Sequence, residues 1–136
     1  MIFDITGVSP TPIQLDTDQD GLPDWWEEQY FGGVTNANPV ALCSNGVNTV
    51  KEAFIAGLDP NNPNDNFLVS ISADTIRWTS ISGRVYSVFW TSDLMQAFQP
   101  LETSIPWKQS SYSIGDFTDS SFFKIGVKLD GWQANP

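Results

Sequence analysis

The sequence predicts an α+β fold in which a pair of short loop-helix units packs on a small antiparallel β-sandwich. Two short segments in the first half carry helix start and stop signals. From residue 67 onward, apolar residues alternate with polar ones, which is the period of a half-buried strand. The predicted organisation is a linker or tail over 1–15, a loop-helix unit over 16–63, a β-sandwich domain over 64–130 and a tail over 131–136.

Composition and charge exclude several classes of protein. The 136 residues are 40% hydrophobic and 13% aromatic, so a packed core is expected. The net charge is −10, and residues 1–66 hold ten acidic residues against one lysine. No basic cluster is present, so we expect no nucleic-acid binding. No apolar run approaches the ~20 residues of a membrane span. The opening residues lack the basic and apolar regions of a secretion signal, as expected of a fragment.

The chemistry available to the chain is limited by two residue types. Cys43 is the single cysteine, so no internal disulfide can form, and the chain contains no histidine. Ser-His and Cys-His catalysis and the usual zinc ligand sets are therefore excluded. Paired carboxylates for a hydrolase could come from Glu102, Asp116 and Asp119. The last two lie in a stretch that is more simply a turn, so we predict no enzyme.

The N-terminal residues 1–15 contain Pro10 and Pro12, which interrupt any regular element. We interpret this stretch as a linker or tail. An edge strand at Ile2–Ile5 is the alternative.

Residues 16–27 match the twelve-residue calcium loop D-x-D-x-D-G-x5-E. Calcium takes six to eight oxygen ligands, and a tightly wound loop brings alternate side chains onto one ion. Gly21 permits the sharp turn. Position 7 offers a backbone carbonyl, position 9 binds directly or through water, and position 12 supplies two oxygens. The alternative is a solvated acidic turn. The predicted calcium ligands are Asp16, Asp18, Asp20, Leu22, Asp24 and Glu27.

Two short helices are expected to follow the loops. Residues 24–31 form the first, with Pro23 at its first turn, Trp26 and Tyr30 on one face, and Gly32 at its end. The second spans about residues 48–56 and ends at Gly57.

A weaker version of the loop precedes the second helix. Asn45, Gly46 and Glu52 occupy loop positions 5, 6 and 12, but positions 1 and 3 are Ala41 and Cys43. Neither of these offers a side-chain oxygen, and sulfur is a poor calcium ligand. We therefore predict no strong second site; whether Asn45 and Glu52 hold a weak ion stays open.

The motifs Asp-Thr-Asp-x-Asp-Gly-Leu-Pro-Asp-Trp-Trp-Glu, Tyr-Phe-Gly-Gly and Glu-Ala-Phe-Ile-Ala-Gly-Leu-Asp-Pro resemble a module near the C-termini of large secreted bacterial proteins. The module is similar to dockerins and to thrombospondin type 3 repeats, and the resemblance covers about residues 16–63. It implies paired calcium-binding loop-helix units of F-hand type, each lacking the incoming helix of an EF-hand. Pro23 and the Trp25-Trp26 pair depart from the typical dockerin loop, so the resemblance does not extend to cohesin binding.

The second half predicts short strands. Alternation places one at about residues 67–72 and further strands at 76–79 and 85–91, with Tyr86, Val88 and Trp90 on one face of the last. Weaker signals lie at 101–105 and 112–114, and apolar and polar residues alternate again over 122–129. Turn signals at this spacing suggest a small antiparallel sandwich. Gly-Arg-Val-Tyr-Ser-Val-Phe-Trp-Thr-Ser-Asp-Leu also resembles the β-domain that often follows the calcium unit.

The expected function is that of a non-catalytic, calcium-stabilised accessory module. It would be a spacer, cap or protein-attachment region of a larger secreted or cell-surface bacterial protein, with calcium and another domain of that protein as partners. The alternative is a carbohydrate-binding module, because the chain holds six tryptophans and sugars stack on exposed aromatics. Trp107 and Trp132 would then be the platform residues, unless they lie partly buried at edges.

Overall fold

The computed structural model describes residues 13–115, 121–130 and 133–134, which form two α-helices, two antiparallel three-stranded sheets and a short parallel strand pair. This mixed architecture agrees with the predicted α+β class. The possible strand at Ile2–Ile5 lies outside the described residues, as do Asp116, Asp119 and Trp132. The elements are β1 (Ile13–Gln14), α1 (Asp24–Phe31), α2 (Val50–Ala56), β2 (Val69–Ser72), β3 (Thr75–Trp78), β4 (Arg84–Thr91), β5 (Gln99–Pro106), β6 (Ser111–Ser113), β7 (Phe122–Leu129) and β8 (Gln133–Ala134).

Helix α1 has the predicted bounds because its start and stop signals are local. The N–H groups of Trp26 and Glu27 both donate to the carbonyl of Pro23, which opens the helix. Gly32 ends it in the left-handed conformation, with φ 78°, and its N–H donates to the carbonyl of Glu28.

Helix α2 begins at Val50, two residues later than predicted, because Thr49 and Glu52 form a capping box. The Thr49 hydroxyl accepts from the Glu52 N–H at 3.1 Å, and the Glu52 carboxylate accepts from the Thr49 N–H at 3.0 Å. Gly57 ends the helix with φ 83°, as predicted. In the described part of the chain, no helix is long and apolar enough to cross a membrane.

The two helices share one hydrophobic core. The Trp26 ring lies 5.1 Å from Tyr30, 5.8 Å from Phe31 and 5.4 Å from Phe54 between ring centroids. Trp26 and Phe54 are buried, as is Cys43, which behaves as a small apolar core residue. The buried members of this helical core are Leu22, Trp26, Ala37, Cys43, Val50, Ala53, Phe54, Ala56 and Leu58.

The two sheets, in the orders β2-β3-β6 and β5-β4-β7, share a second core. Tyr86, fully buried, is its centre, because Trp78 and Phe67 lie with ring centroids 5.9 and 6.3 Å from it. The predicted strands are all present; β7 has the predicted bounds, and the others differ at their ends. Strand β2 starts at Val69 rather than residue 67, and β5 is longer than predicted. The buried members of this sheet core are Ile76, Trp78, Tyr86, Val88, Ile105 and Ile114.

Helix α2 contacts the sheets at its C-terminal end. The Arg84 guanidinium, on β4, donates to the carbonyls of Ile55 and Phe54 at 2.8 and 2.7 Å. Those carbonyls belong to the last turn of the helix, where a cation is favourable. Helix α2 also packs on β7, and Phe67 contacts both hydrophobic cores. The helical and sheet parts therefore contact each other through backbone carbonyls as well as apolar side chains.

Candidate metal centre

Four carboxylates of the first loop lie together: Asp16, Asp18, Asp20 and Glu27 each offer one oxygen, and these oxygens lie within 4.8 Å of one another. Two ligands on opposite sides of a calcium ion are about 4.6–5.2 Å apart, since each lies at 2.3–2.6 Å from the ion. The spacing of the four oxygens therefore suits a single coordination sphere. The structure brings together four of the six predicted ligands in this cluster.

The loop backbone folds around the buried carboxylate of Asp16. The N–H groups of Asp20 and Gly21 donate to its two oxygens at 3.3 and 2.9 Å. Gln19 and Gly21 both have positive φ, 55° and 91°, so the chain turns tightly between the third and sixth loop positions. This turn directs Asp18 and Asp20 back toward Asp16.

Glu27 approaches the cluster from the first turn of α1, and its side chain is 0% exposed. Its Oε2 accepts from the Ala37 N–H at 3.0 Å, whereas Oε1 is buried with no hydrogen-bond partner among the described residues. The Oδ2 atom of Asp20 is likewise buried without a hydrogen-bond partner among the described residues, although its Oδ1 accepts from the Leu22 N–H. Buried carboxylate oxygens without a donor are costly. A cation at the cluster would satisfy both oxygens, so the residues present could hold a metal ion.

The electrostatics of the cluster show the same need for positive charge. Burial, and then the nearby charges of Asp20, Asp18 and Asp16, raise the pKa of Glu27 from 4.5 to about 7, against the opposing hydrogen bond from Ala37. Burial also raises the pKa of Asp20, with added repulsion from Asp18 and Asp16. The cluster thus resists full ionisation in the absence of a cation.

The other two predicted ligands have different surroundings. The two oxygens of Asp24 accept from the N–H and hydroxyl of Thr17 at 2.7 and 2.6 Å. Asp24 is not one of the four clustered carboxylates. Its hydrogen bonds with Thr17 connect the start of α1 to the first loop. The Leu22 side chain is fully buried in the helical core, which fixes the backbone whose carbonyl is the predicted ligand.

The second loop is held by hydrogen bonds around Asn45. Its Oδ1 accepts from the N–H groups of Val47 and Asn48 and from the Cys43 thiol, and its Nδ2 donates to the Asn48 side chain and the Asp65 carbonyl. Glu52 is engaged in the capping box. The neutral amide of Asn45 therefore organises the second loop, whereas carboxylates cluster in the first loop. Sequence reasoning missed the capping box, although the Thr-x-x-Glu spacing signals it.

The described tryptophans differ in burial. Trp26 and Trp78 are buried in the two cores. Trp107 is 40% exposed and Trp25 is 54% exposed, with the Trp25 indole donating to Gln14. Glu102 is exposed on β5.

Lys51 of α2 lies against the first loop. A Cβ at Gly21 would lie 2.7 Å from the Lys51 ammonium nitrogen. Gly21 thus serves two purposes, since it takes a positive φ and leaves room for this side chain. The second helix therefore contacts the first loop at Gly21 through the Lys51 side chain.

Comparison with known proteins gives no further guide: no family model, no curated protein and no solved structure matches this chain.

The raised pKa of Glu27 predicts an unusual pH dependence for the metal-free protein. A carboxyl whose pKa rises on folding stabilises the folded state when protonated, and this contribution is lost as pH rises from about 4.5 to 7. The loss is roughly 3 kcal/mol, since one pKa unit corresponds to about 1.4 kcal/mol. With chelator present, the melting temperature should fall between pH 5 and 7.5. Calcium should reverse the trend, because binding needs the ionised carboxylate.

Glu27→Gln is the control for this pH experiment, because it removes the carboxyl with the pKa near 7 and should reduce the slope of the metal-free profile, while Asp20, whose pKa is also raised, still titrates. The chain has no histidine to titrate in the same window. A metal-free melting temperature that rises steadily from pH 5 to 7.5 would contradict the assignment.

Proposed function

We propose that the first loop binds one structural calcium ion. Asp16, Asp18, Asp20 and Glu27 supply carboxylate oxygens and Leu22 supplies its backbone carbonyl, with Asp24 binding directly or through water. The observation that carries the proposal is the pair of buried oxygens on Glu27 and Asp20, which have no hydrogen-bond donor among the described residues. An all-oxygen ligand set suits a hard cation, and calcium accepts irregular geometry more readily than magnesium.

The ion would connect three parts of the chain. Asp16, Asp18 and Asp20 belong to the loop, Glu27 belongs to α1, and the second oxygen of Glu27 is held by Ala37 beyond the helix. Binding would therefore fix the helix against both the loop before it and the connection after it. Because protein oxygens supply nearly all the proposed ligands, no substrate is needed to complete the shell, and the ion's role is structural rather than catalytic.

The module containing this site is proposed to be a non-catalytic, calcium-stabilised accessory part of a larger secreted or cell-surface bacterial protein. Supporting this are the resemblance of residues 16–63 to dockerins and thrombospondin type 3 repeats, and the contact of the helices with the sheets through Arg84. A rigid unit of this kind would act as a spacer, cap or attachment region. Calcium outside cells reaches the concentrations at which such sites fill.

Isothermal calorimetry of two matched variants tests the site. Glu27→Gln should weaken calcium binding on the order of a hundredfold, because it replaces a charged carboxylate ligand with a neutral amide. Glu52→Gln makes the same chemical change at the same position of the second loop, where Glu52 caps α2. Its calcium affinity should stay within about threefold of the wild type, since the second loop lacks a carboxylate cluster. Equal losses in the two variants would contradict the proposed site.

A further inference from the structure

Lys51 is the single basic residue in the acidic first half of the chain, and the fold places it at the first loop. Residues 1–66 hold ten acidic residues, five of them in loop 16–27, and this one lysine. A Cβ at Gly21 would lie 2.7 Å from the Lys51 Nζ and 2.9 Å from its Cε, so the end of the lysine side chain crosses this glycine. The one cation of this half therefore lies against the loop that holds half of its carboxylates.

The neighbours of Lys51 on α2 do not account for the position of its ammonium. The adjacent carboxylate of Glu52 turns back to accept from the Thr49 N–H at 3.0 Å. The residue one turn later on the same face is the apolar Ile55. A cation in the first turn of a helix is also disfavoured by the partial positive charge of the N-terminal amides. The negative charge that favours this position is therefore that of the first loop.

The ammonium lies close enough to the proposed ion for the two charges to interact through space. The Gly21 N–H donates to an oxygen of the proposed ligand Asp16 at 2.9 Å, so Gly21 lies between Lys51 and the carboxylates. Bond and contact lengths along this path place the ammonium on the order of 10 Å from the ion. Charges of +1 and +2 at that distance change a binding constant severalfold at low ionic strength, even in the dielectric of water.

The ammonium is attracted more strongly to the empty loop than to the occupied one. When all five loop carboxylates are ionised, the empty loop has a formal charge of −5, and a bound calcium ion reduces this to −3. Lys51 therefore stabilises the empty loop more than the occupied loop. A group that favours the ligand-free state lowers the affinity for the ligand.

We propose that Lys51 is an internal counterion of the metal-free loop and thereby lowers the calcium affinity of the first site. This inference rests on the proposed calcium site and names a residue that sets its affinity without being a ligand. Reduced affinity suits a module outside the cell, because extracellular calcium modules have dissociation constants of about 10⁻⁴–10⁻³ M. Since Lys51 belongs to α2, calcium binding also weakens the attraction between the first loop and the second helix.

Calorimetric titration of the full chain with calcium chloride tests the proposal at two ionic strengths. At ~10 mM ionic strength, Lys51→Met keeps an unbranched apolar side chain without the charge and should tighten calcium binding about three- to tenfold. In ~1 M potassium chloride, where the Debye length is about 3 Å, the difference should fall below about 1.5-fold. Lys51→Gln, a second neutral variant, should behave in the same way. Lys51→Arg keeps the charge and should stay within about twofold of the wild type.

Lys124→Met is the matched control, because it removes the same charge from another part of the fold. The Lys124 ammonium lies 5.3 Å from the centroid of the Phe89 ring and 4.7 Å from that of Phe98. Lys124 is about 13 Å along β7 from Lys128, which lines the same cleft as Gly21 and Lys51. The control should change calcium affinity by less than about 1.5-fold at the lower ionic strength.

The melting temperature of the metal-free protein gives an independent readout. At low ionic strength, Lys51→Met should lower the melting temperature more in EDTA than in saturating calcium, because the counterion acts mainly on the empty loop. Lys124→Met should shift the two melting temperatures equally. A purely structural role of Lys51 would likewise shift both forms equally.

Four results would overturn the inference. The first is unchanged or weaker calcium binding by Lys51→Met at low ionic strength. The second is tightening that persists in ~1 M salt, which would indicate packing rather than charge. The third is equal tightening by Lys124→Met, which would indicate net charge rather than position. Absence of calcium binding by the wild type would refute the proposed site itself, whereas binding without the Lys51 effect would refute only this inference.

Discussion

Calcium is expected to raise the melting temperature of the protein by roughly 10 °C over the chelated form. A ligand that binds only the folded state adds about 2.7 kcal/mol at a hundredfold excess over its Kd. For a chain of this size, 1 kcal/mol shifts the midpoint by about 3–6 °C. The molecular reason is the carboxylate cluster, where the buried oxygens of Glu27 and Asp20 lack a donor among the described residues. Scanning calorimetry with millimolar calcium and with EDTA measures the shift.

Asp16→Ala is the sharper variant for this experiment, because the Asp16 carboxylate is both a proposed ligand and the acceptor for two loop N–H groups. It should lose most of the calcium-dependent shift. Magnesium at the same concentration should give a smaller shift, because it demands near-ideal octahedral geometry. Identical melting curves with calcium and with EDTA would refute the structural ion.

The first loop-helix unit was predictable because its signals are local. Gly32 sets the end of α1, and the spacing of the loop carboxylates anticipates the clustering of Asp16, Asp18, Asp20 and Glu27. The different surroundings of Asp24 depend on where the Thr17 side chain points, and no residue spacing encodes that direction.

The second loop shows how one spacing can carry two meanings. Thr49 and Glu52 fit positions 9 and 12 of a calcium loop, and they equally fit a capping box. The structure contains the capping box, which moves the start of α2 to Val50. The carboxylate-poor first positions of this loop, Ala41 and Cys43, already favoured that outcome. Two competing local motifs can therefore be distinguished only from all the ligand positions of the loop, and not from one pair of residues.

Long-range contacts were beyond sequence reasoning. Asn45 reaches the Asp65 carbonyl, and Arg84 reaches helix α2 across about thirty residues. In both contacts a polar side chain donates to a backbone carbonyl. Such contacts leave no hydrophobic periodicity in the sequence from which they could be predicted. The exposure of Val69 and Ile71 could not be predicted either, since alternation alone predicts that one face of the strand is buried.

The second large effect concerns Arg84, which we expect to couple the helices to the sheets. Burial lowers the pKa of its guanidinium, and the group remains charged at neutral pH. Arg84→Ala removes two charge-assisted hydrogen bonds to the last turn of α2 and should cost roughly 2–4 kcal/mol of unfolding free energy. Arg84→Lys keeps the charge, but an ammonium group lacks the planar, forked donors that reach both carbonyls. It should therefore recover only part of the lost unfolding free energy. Arg77→Ala, on an exposed side chain of β3, is the control and should cost under about 0.5 kcal/mol. Denaturant melts measure these losses.

Hydrogen exchange then tests whether Arg84 transmits the effect of calcium to the sheets. Strand β4 is the best probe, because it is the central strand of its sheet and pairs with β7 along its whole length. If the helical and sheet parts unfold together, chelation should lower the protection of Tyr86 and Val88 in the wild type. In Arg84→Ala the same chelation should change them less, since the helix end is released from β4. Unchanged β4 protection on chelating the wild type would show two independent units, and the role of a calcium-stiffened spacer would then lose its physical basis.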